Sequence, residues 1–237
     1  MFELIIIILL IIFLISVVYY IFFSPKSQLL GKVFYRGNQL DKKVVALTFD
    51  DGPNEPYTSQ ILDILRRFNI KATFFPVGEN IARDRETLKK IIDAGHIIGN
   101  HSYSHALFAP IFTPSFKKQI SMAQQLITDA IGKPPTLFRP PWFFRTTAML
   151  KTARTLGLIT ITGTFASYWE VFKVSPQKIA KDAIRNTRPG TILVFHDGYN
   201  NKGTERTKTV EAMQIVIPQL LKAGYKFVTV PQLLKIE

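Results

Sequence analysis

Four short clusters carry the groups that could do chemistry: Asp50-Asp51-Gly52-Pro53, His101-Ser102-Tyr103-Ser104-His105, Arg139-Pro140-Pro141-Trp142 and His196-Asp197. The chain has no cysteine, so thiolate metal sites, disulfides and cysteine nucleophiles are excluded. A bound metal would have to sit on His, Asp or Glu, and only four histidines exist, His96, His101, His105 and His196. His101 and His105 stand at i and i+4, and on a helical turn both imidazoles would point the same way. One carboxylate from the Asp pair would complete a two-His, one-carboxylate set with positions left for water and substrate. Taken alone, each cluster has a plainer reading, as capping or surface histidines and as an Asp-Gly turn before a helix. Adjacent carboxylates on a strand point to opposite faces, so Asp50 and Asp51 can share a site only if the chain bends, which Gly52-Pro53 would allow.

What must position these groups is an alternation of apolar runs and helical periodicities. VVALTFDD from Val44, then ATFFPVG, HIIGN, LFRPPW, LITITGTF, TILVFHD and KFVTV read as strands. Between them, Tyr57–Phe68, Glu86–Ala94, Ser115–Ile131, Thr146–Leu156, Pro176–Asn186 and Thr207–Ala223 read as helices, several closed by Gly or Pro. The strands are continuously apolar, the mark of a parallel sheet covered on both faces. The fold class is therefore α/β, as a (β/α) barrel or an open doubly wound sheet. In either, the strands' C-terminal ends build the functional face, and all four clusters fall at such ends. His96 follows Gly95 into an apolar strand and reads as structural. No GxGxxG or P-loop is present, which argues against a nucleotide cofactor.

Ahead of this domain, Leu4 to Phe23 is an uncharged apolar run, long enough as a helix to cross the ~30 Å hydrocarbon core. It lacks the positive lead and small-residue cleavage site of a signal peptide, so residues 1–24 are expected to be a retained transmembrane anchor. Residues 25–43 mix Pro, Ser, Gly and basic residues and read as a juxtamembrane linker, leaving 44–237 as the soluble domain. Lys26, Lys32, Arg36, Lys42 and Lys43 follow the span, and that bias favours a cytoplasmic domain. Long domains also translocate against it, and an extracytoplasmic domain is expected. The formal net charge is +13 and suits an anionic wall or headgroup surface. Because the Lys and Arg are scattered without a recognition motif, no nucleic-acid partner is expected.

Thr48-Phe49-Asp50-Asp51-Gly52-Pro53, His101-Ser102-Tyr103-Ser104-His105, Arg139-Pro140-Pro141-Trp142 and Val194-Phe195-His196 resemble, in that order, the motifs of the polysaccharide deacetylase (NodB-homology) family, carbohydrate esterase family 4. The resemblance spans roughly Val44 to Leu234. It implies a distorted (β/α) barrel with a parallel inner sheet and metal-dependent removal of N-acetyl groups from a cell-surface glycan such as peptidoglycan. It implies that Asp51, His101 and His105 bind a divalent metal, zinc first, with cobalt, nickel or manganese as alternatives. Asp50 would be the general base, tethered by a bidentate Arg139, and His196 the general acid. The Trp142 N–H would hold the oxyanion, and Val194, where Leu is usual, would line the acetyl pocket.

Two departures stand out. Phe143 replaces a glycine after the third motif. Aligning the fourth motif, Asp-x-x-Asp-Trp, on Trp169 puts Phe165 and Tyr168 at its aspartates. The first of those aspartates ordinarily orients the general-acid histidine, and Ser167, Glu170 and Asp197 are the candidates to replace it. Two other readings follow: a weakened or inactive carbohydrate-binding homologue, and a deacetylase or deformylase of a lipid-linked sugar at the cytoplasmic face. Trp169 is expected to pack a pocket wall.

Overall fold

The structure is a computed structural model and describes residues 1–38, 42–107, 113–167, 170, 174–199 and 203–236. Helix α1 (Phe2–Phe22) is followed by β1 (Val44–Asp50), α2 (Tyr57–Arg67), β2 (Thr73–Phe75), α3 (Gly78–Arg83), α4 (Arg85–Asp93) and β3 (Ile97–Ile98). Next come α5 (Thr113–Ile131), β4 (Leu137–Phe138), α6 (Thr147–Thr155), β5 (Ile159–Thr160) and β6 (Thr164–Phe165). The chain closes with α7 (Pro176–Asn186), β7 (Ile192–His196), α8 (Thr207–Lys222), β8 (Lys226–Val228) and α9 (Val230–Leu234).

The strands pair in parallel in the order β3-β2-β1-β7-β6, with β8 beside the first half of β1, and β4-β5 as a separate pair. A single bridge from Asn100 to Phe138 carries the wall from β3 round to β4. Side chains alternate across this wall. Leu47 and Phe49 of β1 pack outward with Ile61 and Leu65 of α2 and Val216 and Ile217 of α8. Ala46 faces inward with Phe75, Leu137, Ile161 and Ile192. The same alternation sends Thr48 and Asp50, and Val194 and His196 of β7, to the inner side. Asp50 and His196 are register partners at the C-terminal end of neighbouring strands. The α/β barrel-type fold is as expected, and its two buried layers fix where the polar strand ends converge.

Three local features differ from the sequence reading. LITITGTF is two strands, because Ile161 leaves the β5 ladder to bridge Phe34 while Gly163 presses against β7. A Cβ on Gly163 would lie 2.7 Å from Val194 Cγ2. Helices α3 and α9 are six and five residues long, too short to print a periodicity. Finally, the stretch with linker composition is packed into the domain over residues 24–37. Pro25, Ser27, Val33 and Gly37 are buried, and Phe34 and Arg36 bridge Ile161 and Thr191 across the seam between β5 and β7. Arg145 is fully buried and donates hydrogen bonds to the carbonyls of Ser24, Ser27 and Phe143, while Thr162 Oγ1 donates to Pro25 O.

Candidate active site

β1 delivers Asp50 by strand alternation, but Asp51 reaches the same cavity through its own backbone. Asp51 has φ 74°, so the bend expected at Gly52-Pro53 begins one residue earlier. The left-handed turn is braced where the Asn80 amide donates to Asp51 O at 2.6 Å. Gly198 lies so close to that carbonyl that a Cβ would approach it to 2.2 Å. The two histidines converge in a different way from that expected. No helix joins them; Ser102 at φ 66° and His105 at φ 53° fold the segment back on itself. The Asn100 side chain accepts from Ser102 N, Ser102 Oγ accepts from His105 N, and the first amides of α3 donate to Ser102 O and Tyr103 O.

The result is a buried trio. His101 Nε2 and His105 Nε2 lie 3.3 and 3.2 Å from Asp51 Oδ1, and a donor atom from each residue falls within 4.8 Å of the others. The two Asp51–histidine separations are close to roughly 3.3 Å, the edge of a tetrahedron built on ~2.0–2.1 Å metal bonds. His101 Nδ1–H donates to Arg139 O at 2.7 Å, which leaves the Nε2 lone pair facing Asp51. Burial pushes His105 down to about 4, with Asp51 opposing, so this imidazole is neutral at physiological pH. Burial alone would favour a neutral Asp51, yet the surrounding imidazoles of His105, His101 and His196 outweigh it and hold the carboxyl well below the usual range. Asp51 Oδ1 is buried with no hydrogen-bond donor among the described residues. An ionised carboxylate oxygen left bare between two imidazoles fits a divalent cation.

Arg139 is fully buried and stacked over the Phe75 ring at 4.2 Å. Its Nη1 donates to Asp50 Oδ1 and to Thr48 Oγ1, both at 2.7 Å, whereas Nη2 donates to Thr162 O. The contact to Asp50 is thus single, not the bidentate pair expected, because the second prong is taken by the chain between β5 and β6. Asp50 Oδ2 is left facing the cavity, 4.0 Å from His101 Nε2.

His196 closes the opposite side. Its Nδ1–H donates to Glu170 Oε2 at 2.9 Å, and Glu170 Oε1 accepts from His196 N and from Thr209 Oγ1. Burial opposes protonation of the imidazole, but Glu170, with Asp51 and Asp50 adding to it, raises His196 to about 9. Of the three candidates to orient this histidine, only Glu170 touches its ring among the described contacts. Ser167 donates to Asp182, and Asp197 accepts from Thr58 at 2.6 Å, its carboxyl raised to about 7 by burial. Tyr168 and Trp169 lie outside the described residues.

The cavity above these groups has Pro140, Phe143 and Phe165 in its walls and Trp142 and Tyr199 at its rim. Trp142 is 45% exposed and packs 5.2 Å from the His105 ring. Phe143 keeps a left-handed φ of 56° where the family has glycine, and its ring meets Phe165 at 4.9 Å, so the two departures from the motifs touch each other. Val194 does not line this cavity. It lies one pleat below His196 on the same face of β7, fully buried against Gly163. His96 sits away from the site, accepting from Ala72 N, as its structural reading requires.

A cation-ready Asp-His-His trio beside a carboxylate and a carboxylate-bound histidine, at the C-terminal ends of a parallel barrel, defines a metal-dependent hydrolase. A family model for polysaccharide deacetylase matches residues 37–161. The chain is 34% identical over 198 residues to a peptidoglycan-N-acetylglucosamine deacetylase of Bacillus cereus, covering 82% of this chain and 90% of that protein. Among solved structures, the Bc1960 peptidoglycan N-acetylglucosamine deacetylase in complex with 4-naphthalen-1-yl-N-oxidanyl-benzamide superposes with a TM-score of 0.80 at 32% identity, covering 86% of this chain and 94% of that one. A family 4 acetyl xylan esterase from Clostridium thermocellum, in complex with a cobalt ion, superposes with a TM-score of 0.73 at 34% identity, covering 81% and 90%. The chain belongs to the polysaccharide deacetylase family, carbohydrate esterase family 4.

Proposed function

We propose that this protein hydrolyses N-acetyl groups from amino sugars of a cell-wall glycan, with the N-acetylglucosamine of peptidoglycan as the leading substrate. The observation that carries this reading is the pairing of His196 with Glu170, which supplies the carboxylate missing at Phe165. With it, every group the reaction needs has a candidate around one cavity. Asp51, His101 and His105 would hold a divalent metal, zinc being the best match to a donor set of two imidazoles and one carboxylate. When bound, such an ion polarises the amide carbonyl and eases ionisation of water. Asp50, fixed by Arg139, takes a proton from the attacking water as its oxygen bonds to the acetyl carbon. The C–N bond then breaks as His196, protonated because of Glu170, gives its proton to the departing amine. The Trp142 N–H is the proposed oxyanion donor, and its half-exposed indole offers an apolar face to a sugar ring at the mouth.

Helix α1 is the retained membrane anchor in this reading, with the catalytic domain outside the cytoplasm where the wall lies. Its length and composition suit a span. The basic residues that follow it favour the opposite orientation, so a topology reporter fused to the C-terminus is the direct check: a cytoplasmic signal would redirect the substrate to a lipid-linked sugar. For the chemistry, the test is acetate release from acetylated chito-oligosaccharides and from peptidoglycan by the full chain, before and after chelation. Release that needs a divalent ion supports the reading, and none from any N-acetylated glycan with metal bound would overturn it.

A further inference from the structure

The domain surface beside the end of α1 carries a second cleft, lined by Lys26, Tyr35, Arg36, Thr164, Arg185 and Arg188 among others. Four of its lining residues are cationic and none is acidic. Arg188 is oriented by hydrogen bonds from Nη1 to Arg185 O and Thr187 O, and Arg36 lies over the Tyr35 ring at 5.5 Å. Among the described residues, the carboxylate that pairs with a cleft arginine is Asp182, which is already held by Lys178 at 3.0 Å and Ser167 and reaches Arg185 at 3.7 Å. The guanidinium groups are exposed and have capacity for an anion.

The position of this cleft is fixed relative to the helix. Lys26 is four residues beyond Phe22, so it lies within roughly 14 Å of the helix end even with the chain extended. The intervening residues are pinned: Arg145 N donates to Phe22 O, its guanidinium holds Ser24 and Ser27, Thr162 holds Pro25, and Phe22 and Phe23 pack on Phe144. A cationic cleft rigidly attached to the end of a spanning helix lies at headgroup depth.

We infer that this cleft binds the phosphate-bearing headgroup of an anionic phospholipid and so sets how the domain rests on the bilayer. This rests on α1 being a retained span, though not on the deacetylase reading. It also gives Lys26 and Arg36 a use other than fixing topology.

The test is native mass spectrometry of the full chain released from micelles holding equal amounts of phosphatidylglycerol and phosphatidylcholine. The expected result is retained phosphatidylglycerol, with the preference falling about tenfold or more in an Arg36→Gln/Arg185→Gln/Arg188→Gln variant. The corresponding Arg→Lys variant should keep most of it. A control variant, Arg66→Gln/Arg67→Gln/Lys89→Gln, removes the same charge from elsewhere and should leave the preference unchanged. The inference fails if both glutamine variants lose preference equally, if neither does, or if inorganic phosphate displaces the lipid. Carbonate extraction of membranes, run in parallel, separates this from failure of the anchor reading: a chain released by carbonate is not anchored, whatever its cleft binds.

Discussion

At the scale of single residues, the proposed mechanism divides the site into groups that would hold a cation and groups that would move protons, and substitutions should separate them. His101→Ala or His105→Ala should abolish bound metal and activity while the fold persists, as read by metal content and circular dichroism. Asp50→Asn should keep metal near full occupancy yet lower turnover by about 10²–10⁴. Glu170→Gln is more informative. His196 is raised to about 9 largely through Glu170, and the acid role needs its protonated form, so activity should decline only as pH rises through that value. Removing the carboxylate should move the basic limb of the pH–rate profile to lower pH and cut kcat by about 100-fold, with metal content unchanged. An unmoved limb would show that another group sets it. Phe143 and Phe165 form a further couple. Phe143→Gly relieves a left-handed backbone at a non-glycine residue, roughly 1–2 kcal/mol, but empties space worth roughly 3–5 kcal/mol. Net destabilisation is expected in denaturant melts, with a smaller effect in a Phe165→Ala background.

Among the secondary-structure elements, the main strand ends were legible from sequence because buried parallel strands are apolar without interruption and their polar terminators stand out. Asp50, Asp51, His101, His105, Arg139 and His196 all stand out in the sequence for that reason. Glu170 could be named only as one of three candidates, since it lies in a connection without periodicity and one residue past the tryptophan that anchors the motif. The residues after α1 misled for a different reason. Their contacts to Arg145 and Thr162 are made by backbone carbonyls, which every residue type carries, so composition shows only Pro, Ser and Lys. A practical prediction follows. A fragment beginning at Lys42 strips two carbonyl acceptors from buried Arg145 and one from Thr162, and should be less stable than one beginning at Ser24 by about 3 kcal/mol or more. Thermal melts of the two fragments would decide it, and equal stability would mean the 24–37 segment contributes nothing.

For the whole molecule, the pinned stem matters more than the net charge. Membrane-bound enzymes joined to their helix by a flexible tether search a volume set by tether length. Here Arg145 and the Phe22–Phe23–Phe144 stack leave almost no slack. On the proposed arrangement, with α1 as anchor and the domain on the wall side, replacing residues 1–21 with an unrelated span and a long Gly/Ser spacer should spare activity on soluble oligosaccharides while extending the depth of wall that is modified in cells. A domain of this size is about 40 Å across. With α1 in a bilayer, that dimension becomes a fixed height: only glycan strands passing through the layer nearest the lipid would meet the catalytic mouth, and the outer wall would keep its acetyl groups.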